Sequence, residues 1–243
     1  MRNTVDIVGV KVDNVTIIDA VIRTEDFLDG ESTNLIFTPN SEILLDAVKE
    51  PSFAKILNSG DLVVPDGIGV VIASKFYNVP IKERVAGYDL MRKLIEIAYH
   101  KKKSIYLLGG KEGVAEEAAE KIREEYYGIN IVGMHNGYFG DAEETLIINE
   151  IKDLKPDVVF VALGAPKQEI WINEHKHLIP AKIIMGVGGS LDVIAGRVKR
   201  APEFFQKAGL EWFYRLIKEP KRFFRVLRLP KFIILAFYDA KTR

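Results

Sequence analysis

The chain has 243 residues, of which 48% are hydrophobic and 28% charged, a composition typical of a globular protein with a sizeable core. It contains no cysteine, which excludes disulfide bonds and metal sites that use cysteine ligands. The formal net charge is zero, yet residues 199–243 carry 12 Lys and Arg against 4 Asp and Glu. This uneven distribution predicts that the basic C-terminal segment meets an anionic partner.

The first element is predicted to be a short hairpin over Asp6–Thr16, with Asp13 and Asn14 in its turn, followed by a helix. After it, apolar runs rich in Val and Ile alternate with amphipathic segments of helical period. The predicted strands are Asn34–Thr38, Asp61–Val64, Ser104–Leu108, Asn130–Met134, Asp157–Leu163 and Lys182–Val187. The amphipathic segments include Ser41–Lys49, Tyr88–Tyr99, Gly113–Tyr126 and Glu143–Leu154.

Strands that are apolar along their whole length and separated by helices indicate a parallel sheet covered on both faces. We therefore predict an α/β fold for residues 1–200, with a Rossmann-like, mostly parallel sheet and helices on both faces. The composition changes near Ala201 and Pro202. Residues 201–243 are predicted to form a C-terminal helical appendage.

Glycines follow several of the predicted strands at the edge where open α/β sheets bind ligands. They include Gly109-Gly110, Gly164 and Gly188-Gly189. A glycine-rich turn lets backbone N–H groups approach an anion, and the following helix N-terminus favours negative charge. Three such loops on one edge predict a phosphate or nucleotide site, although each glycine also suits a plain tight turn.

Asp66 is a candidate general base because it directly follows a buried-looking strand and lies between Pro65 and Gly67. The same position suits a turn residue or a cap for the helix predicted near Ile68. Other polar residues at this edge leave similar alternatives open. Thr38 and Asn40 suit a sugar or the cap of the next helix, and Gln168 suits a substrate contact or an exposed first helical turn.

No metal site is predicted, and no cofactor is expected. The four histidines show no ligand spacing with carboxylates, and no D-x-D pair is present to hold a nucleotide-bound metal. A departing diphosphate would then need another source of positive charge. Arginine is the best candidate because its planar fork binds phosphate oxygens in a bidentate way.

Taken together, the motifs of the chain resemble those of the WecG/TagA/CpsF family of glycosyltransferases. The matching segments run in order through nearly the whole chain: Thr38-Pro39-Asn40-x-Glu42, Pro65-Asp66-Gly67-x-Gly69, Arg84-Val85-x-Gly87, Gly137-Tyr138-Phe139, Gly164-Ala165-Pro166-Lys167-Gln168-Glu169, Gly186-Val187-Gly188-Gly189-Ser190-x-Asp192, Arg200-Ala201-Pro202 and Gly209-Leu210-Glu211-Trp212-x-x-Arg215-Leu216. One departure is Ser41, where many members have proline.

The resemblance implies an inverting transfer of N-acetylmannosamine from UDP-N-acetylmannosamine to N-acetylglucosaminyl-diphospho-undecaprenol, and the missing D-x-D pair predicts that this transfer needs no metal. The product carries a β-1,4 linkage and belongs to the linkage unit of wall teichoic acid. A related UDP-hexosaminyl or UDP-hexosaminuronyl transfer in polysaccharide synthesis is the alternative within the family.

Residue by residue, the resemblance implies that Asp66 deprotonates the acceptor hydroxyl. The remaining implied contacts form three groups. The sugar and acceptor pocket would be lined by Thr38, Asn40, Arg84 and Gln168. The donor would be held by Gly109, Gly110, Gly164, Lys167, Gly188, Gly189 and Asp192. The diphosphate or the membrane would be faced by Arg215, Arg222 and Arg225.

The C-terminal segment alternates basic and aromatic residues, a pattern typical of helices that lie in a membrane interface. Packing of this segment on its own domain or on a second subunit is the alternative. The first ten residues show no signal-peptide pattern, and no apolar run reaches the length of a membrane span. We therefore expect a cytoplasmic protein, peripheral on the inner face of the plasma membrane. Nucleic acid is not an expected partner, because the rest of the chain is acidic.

The residues alone leave open two functions from other classes. A dinucleotide-dependent oxidoreductase would use a similar sheet, but the chain lacks the G-x-G-x-x-G fingerprint. A non-catalytic scaffold at the membrane would leave a carboxylate at Asp66 without a purpose.

Overall fold

The structure, a computed structural model, describes residues 2–218 and 223–243. One 3₁₀ turn lies at Lys75–Tyr77. The other elements, in chain order, are β1 (Thr4–Ile7), β2 (Val10–Asp13), α1 (Ile17–Asp29), β3 (Asn34–Phe37), α2 (Ser41–Lys49), α3 (Pro51–Asn58), β4 (Leu62–Val63), α4 (Ile68–Ser74), α5 (Gly87–His100), β5 (Ser104–Gly109), α6 (Val114–Glu125), β6 (Asn130–His135), α7 (Asp141–Leu154), β7 (Val158–Ala162), α8 (Lys167–His175), β8 (Ile183–Gly186), α9 (Ser190–Ile194), α10 (Glu203–Lys207), α11 (Glu211–Lys218), α12 (Phe223–Val226) and α13 (Arg228–Thr242).

Six strands form one parallel sheet in the order β4-β3-β8-β7-β5-β6, which confirms the α/β prediction and all six predicted strands. Because every pair is parallel, the carboxyl ends of the strands meet at a single edge. Ile36 of β3 pairs with Met185 of β8, and Phe37 pairs with Val63 of β4. The loops that follow these three strands therefore leave the sheet side by side.

Alternate residues of each strand point to opposite faces of the sheet, and each face has its own apolar core. Leu35 and Phe37 pack on one face with residues of α2, α3, α7, α8 and α13. Ile36 packs on the other with residues of α1, α5, α6 and α9. Burial on both faces explains why the strands are apolar along their whole length.

The N-terminal hairpin exists, but the prediction of its turn at Asp13 and Asn14 is wrong. The turn lies at Val8 and Gly9, both with positive φ (47° and 89°), as a two-residue turn between twisted strands requires. Asp13 ends β2 and is buried. It accepts hydrogen bonds from Arg23 Nη1 (3.1 Å) and from the backbone N–H of Val63 (2.8 Å), so it anchors the hairpin to β4.

The last helix, α13, is part of the domain's core. Phe232 and Ala236 are fully buried in the core on the α2 face of the sheet. Arg228 contacts the carboxylate of Asp46, and the Tyr77 hydroxyl donates to Asp239 Oδ2 at 2.8 Å. The alternative that the C-terminal segment packs on its own domain therefore holds for α13.

In residues 2–218 and 223–243, none of the helices combines the length and the apolar character needed to cross a membrane.

Candidate active site

Two depressions lie at the carboxyl edge of the sheet. The first, the Asp66 cavity, has a volume of about 170 Å³. Its lining comes from the segments after β3 and β4, from the loop before α5 and from the C-terminal segment: Asn40, Ser41, Glu42, Asp66, Gly67, Ile68, Gly69, Arg84, Gly209, Glu211, Trp212, Val226 and Leu229. The second, the glycine cleft, has a volume of about 580 Å³ and is lined by Gly110, Lys111, Gly137, Tyr138, Phe139, Ala162, Leu163, Gly164, Lys167, Gly188, Gly189 and Asp192.

The Asp66 side chain is held at the start of helix α5. Its Oδ2 atom accepts the backbone N–H of Gly87 at 3.3 Å, and its own backbone N–H donates to the carbonyl of Pro39 at 3.2 Å. The N-cap of α4 is Gly67, and no side-chain hydrogen bond caps that helix. The side chain remains 30% exposed, so a ligand in the cavity can reach the carboxylate.

Arg84 connects Asp66 to the C-terminal segment. Its Nε atom lies 3.7 Å from Asp66 Oδ1, and its Nη2 atom donates to Glu211 Oε1 at 2.9 Å. Glu211 also lies 3.8 Å from Nη2 of Arg200, which makes a bidentate pair with Asp89 at 2.6 and 2.7 Å. A chain of alternating charges thus links the start of α5, the Asp66 loop and helix α11.

The C-terminal segment forms one wall of the Asp66 cavity through close backbone contacts. A Cβ atom added to Gly69 would lie 2.4 Å from Leu229 Cδ1 and 2.2 Å from Ser41 Oγ. One added to Gly209 would lie 3.1 Å from a carbon of Ile68. Only glycine allows the segment to approach the Asp66 loop this closely.

Asn40 has the capping role that is one of its two predicted alternatives. It is the N-cap of α2, and its Oδ1 atom accepts the N–H groups of Glu42 (2.9 Å) and Ile43 (3.2 Å). Asn40 also lines the Asp66 cavity. Thr38 lies instead against the start of α5, where a Cβ on Gly87 would be 3.0 Å from its hydroxyl oxygen.

The glycine cleft contains most of the residues predicted to hold the donor: Gly110, Gly164, Lys167, Gly188, Gly189 and Asp192. Two of their N–H groups are used within the protein, because Gly110 donates to the Ala162 carbonyl (3.0 Å) and Gly188 donates to Gln168 Oε1 (2.9 Å). Gly109 packs against β7, since a Cβ there would lie 2.4 Å from the Ala162 carbonyl oxygen. These three glycines shape the cleft in this structure.

Gln168 is buried, so its interpretation as an exposed residue of a first helical turn is wrong. Its Nε2 atom donates to Glu169 Oε1 at 2.8 Å, while its Oε1 atom accepts the Gly188 N–H. The amide therefore holds the loop after β8 in place, and Gln168 is not among the described residues that line the glycine cleft. Burial raises the pKa of the neighbouring Glu169 carboxyl.

The three arginines predicted to face the diphosphate or the membrane lie outside the described part of the chain, Arg222 entirely and Arg215 and Arg225 in their side chains. Among the described residues, no group of three or more His, Asp or Glu side chains is arranged to hold a metal ion.

Several lining residues belong to motifs for which the sequence suggested no role. Glu211 and Trp212 lie in the Asp66 cavity, and Tyr138 and Phe139 lie in the glycine cleft. Both pairs could be singled out from the sequence, because they belong to motifs that resemble those of the family. What the sequence lacked was the pairing of Glu211 with a residue 127 positions earlier in the chain.

Comparison with known proteins assigns this arrangement to a family. The model of the glycosyl transferase WecG/TagA/CpsF family matches residues 5–243. The chain belongs to this family. The assignment favours glycosyl transfer over the oxidoreductase and scaffold readings.

Three similar proteins carry the same name, N-acetylglucosaminyldiphosphoundecaprenol N-acetyl-beta-D-mannosaminyltransferase. The protein from Bacillus spizizenii is 42% identical over 207 residues, which cover 85% of this chain and 80% of the relative. The one from Bacillus subtilis is 41% identical over 89% of this chain and 84% of the relative. The one from Staphylococcus aureus strain MRSA252 is 38% identical over 94% of this chain and 90% of the relative.

Proposed function

We propose that this glycosyltransferase moves N-acetylmannosamine from UDP-N-acetylmannosamine to N-acetylglucosaminyl-diphospho-undecaprenol, with inversion and without a metal. The observation that carries the proposal is the position of Asp66. Its carboxylate reaches a cavity at the carboxyl edge of the sheet, while the open glycine cleft lies at the ends of the neighbouring strands. The choice of sugar and acceptor rests on the names of the relatives.

The chemistry is a single displacement at the anomeric carbon. The acceptor hydroxyl oxygen attacks this carbon and forms the new glycosidic bond, while the bond to the UDP oxygen breaks and UDP leaves with the electron pair. The hydroxyl proton passes to the Asp66 carboxylate, which acts as general base. This role requires an accessible carboxylate, and Asp66 is 30% exposed.

The donor would occupy the glycine cleft, with its diphosphate near Gly189 and the N-terminus of α8. Helix N-termini bind phosphate through free N–H groups and a favourable dipole. Lys111 and Lys167 add positive charge to the same cleft, and Asp192 offers a carboxylate to a ribose hydroxyl. Gln168 acts as a positioning residue for the loop after β8, because its Oε1 atom accepts the N–H of Gly188.

The acceptor is a lipid, so the Asp66 cavity has to work at a membrane surface. Exposed large side chains lie on α13 and at its N-cap, among them Leu227, Ile234 and Tyr238. Together with the basic residues of this segment they suit binding to an anionic leaflet, where each nearby Lys or Arg contributes about 1 kcal/mol. The arginines at 215, 222 and 225 remain candidates for neutralising the diphosphate.

A transfer assay with defined substrates tests the proposal. The purified protein, UDP-N-acetylmannosamine and a short-chain N-acetylglucosaminyl diphosphate lipid are incubated with excess EDTA, and the product is identified by mass spectrometry. We expect full transfer in EDTA, because the diphosphate is neutralised by protein cations. UDP-N-acetylglucosamine and a UDP-hexosaminuronic acid serve as competing donors.

Two outcomes would contradict the proposal in different ways. Preferred use of another donor would place the chain with a related hexosaminyl or hexosaminuronyl transferase. Loss of transfer in EDTA, with recovery on addition of Mg²⁺ or Mn²⁺, would show that a metal neutralises the leaving group.

A further inference from the structure

Glu169 is a buried carboxyl group that the proposed chemistry does not use. It is the third residue of α8, is 1% exposed, and is not among the described residues that line either depression. Its Oε1 atom accepts from Gln168 Nε2 at 2.8 Å, whereas its Oε2 atom is buried and has no hydrogen-bond partner in the described part of the chain. A buried oxygen without a partner lowers the stability of a fold, so stability alone does not account for a glutamate at this position.

The partner of Glu169, the side-chain amide of Gln168, lies against the end of strand β8. A Cβ atom added to Gly186, the last residue of β8, would lie 2.9 Å from Gln168 Nε2. The Oε1 atom of the same amide accepts the N–H of Gly188 at 2.9 Å. The amide therefore connects the first turn of α8 to the loop that begins after β8.

This loop forms part of the wall of the glycine cleft, to which it contributes Gly188 and Gly189. Gly188 has a φ of 52°, in the left-handed region that glycine adopts freely. Two successive glycines restrict the backbone very little, so the loop keeps one shape only if contacts from outside it fix the chain. The hydrogen bond between the Gly188 N–H and Gln168 is such a contact.

The orientation of the Gln168 amide decides whether this contact can form. A turn of 180° about the last side-chain bond exchanges the amide oxygen with the amide nitrogen. The Nε2 group would then face the Gly188 N–H, and two donors cannot pair. An acceptor oxygen on Glu169 pairs with the nitrogen end of the amide and so favours the orientation in which Oε1 meets Gly188. Burial raises the pKa of the Glu169 carboxyl and favours its neutral form, whose carbonyl oxygen still accepts.

We propose that Glu169 is a positioning residue that orients the Gln168 amide and thereby fixes the Gly188-Gly189 loop for binding of the donor's diphosphate. The inference rests on the proposed function, since it requires the donor to occupy the glycine cleft. Two hydrogen bonds separate Glu169 from the loop, so its loss weakens binding of the donor and leaves the chemistry at the anomeric carbon unchanged.

Calorimetric titration with UDP tests the inference. Glu169→Met removes the acceptor oxygen at similar side-chain length, and we expect the dissociation constant for UDP to rise by about 10-fold, the effect of one lost hydrogen bond. Glu169→Gln keeps an acceptor oxygen and should stay within about 3-fold of the unmodified chain. In a Gln168→Met background, Glu169→Met changes the UDP affinity by less than about 3-fold, because no amide remains to be oriented.

Two further measurements accompany the titration. In transfer assays, Glu169→Met should raise the KM for UDP-N-acetylmannosamine while kcat stays within about 2-fold, as expected when binding alone is weakened. Melting curves establish that each variant is folded at the temperature of the titration. Glu169→Ala replaces Glu169→Met if that variant does not fold.

Glu174→Met is the matched control, because Glu174 is exposed on the same helix and is not among the described residues that line the glycine cleft. Its UDP affinity should equal that of the unmodified chain. Three results would overturn the inference: normal UDP affinity of Glu169→Met, a Glu169→Gln variant as weak as Glu169→Met, or an equal loss with and without Gln168.

Lys167→Met separates failure of the inference from failure of the proposed function. Lys167 lines the glycine cleft, so its substitution should weaken UDP binding whatever the role of Glu169. If Lys167→Met weakens binding and Glu169→Met does not, only the inference fails. If the unmodified chain binds no UDP, or if Lys167→Met binds it normally, the placement of the donor in the cleft fails and the inference fails with it.

Discussion

Asp66→Asn lowers the turnover of sugar transfer by about 10² to 10⁴, the range expected when a general base is lost. Asparagine has the same shape, and its side-chain oxygen can still accept the N–H of Gly87, so the start of α5 stays in place. An amide cannot take up the proton of the acceptor hydroxyl. The measurement is the steady-state rate at saturating concentrations of both substrates.

UDP binding provides the control for this variant. Among the residues that the structure describes, none lines both the glycine cleft and the Asp66 cavity, so the affinity for UDP and the thermal melting point should match those of the unmodified chain. Turnover near the normal value, with both controls satisfied, would leave Asp66 with a structural role only.

Removal of residues 201–243 lowers transfer to a short-chain, water-soluble acceptor by at least about 10², comparable with the loss of preorganised groups around a reacting centre. The truncated chain loses Gly209, Glu211, Trp212, Val226 and Leu229 from the wall of the Asp66 cavity. It keeps the six-stranded sheet and should fold, but at lower stability. The buried Phe232 is lost with α13, and deleting a buried aromatic side chain typically costs about 3–5 kcal/mol.

A second variant separates anchoring from the shape of the cavity. Ile234→Ser combined with Tyr238→Ser changes two exposed positions of α13 and leaves every residue of the cavity wall in place. It should bind anionic vesicles less tightly yet retain most of its activity on the soluble acceptor. Full activity of the truncated chain on that acceptor would show that the C-terminal segment only anchors the enzyme, in conflict with the geometry around Glu211.

The sheet could be predicted from the sequence because its strands are buried on both faces. Such strands are apolar throughout, and the turn residues after them mark the edge where Asp66 and the glycine loops lie. The predicted position of the hairpin turn is wrong because Asp13-Asn14 suits a turn by residue type alone. The structure uses the Asp13 carboxylate for a different purpose, to satisfy the Val63 N–H and two arginines.

The details of the site depend on contacts between residues far apart in the chain. Gln168 lies in the first turn of a helix, where the local sequence predicts an exposed side chain. In the structure it is buried, and its Oε1 atom accepts the N–H of Gly188 in the loop after β8. Phe232 belongs to a segment whose pattern suits a membrane, yet the contacts of α13 with α2 and α4 bury it in the core. Periodicity alone does not distinguish an apolar helix face that packs on protein from one that packs on lipid.

The configuration of the transferred sugar tests the central claim most directly. A single displacement, with Asp66 on the side of the anomeric carbon opposite the departing UDP, inverts this centre. Nuclear magnetic resonance of the product from UDP-N-acetylmannosamine should therefore show only the configuration opposite to that of the donor. A product that retains the donor configuration would contradict direct displacement and the assignment of Asp66 as the base.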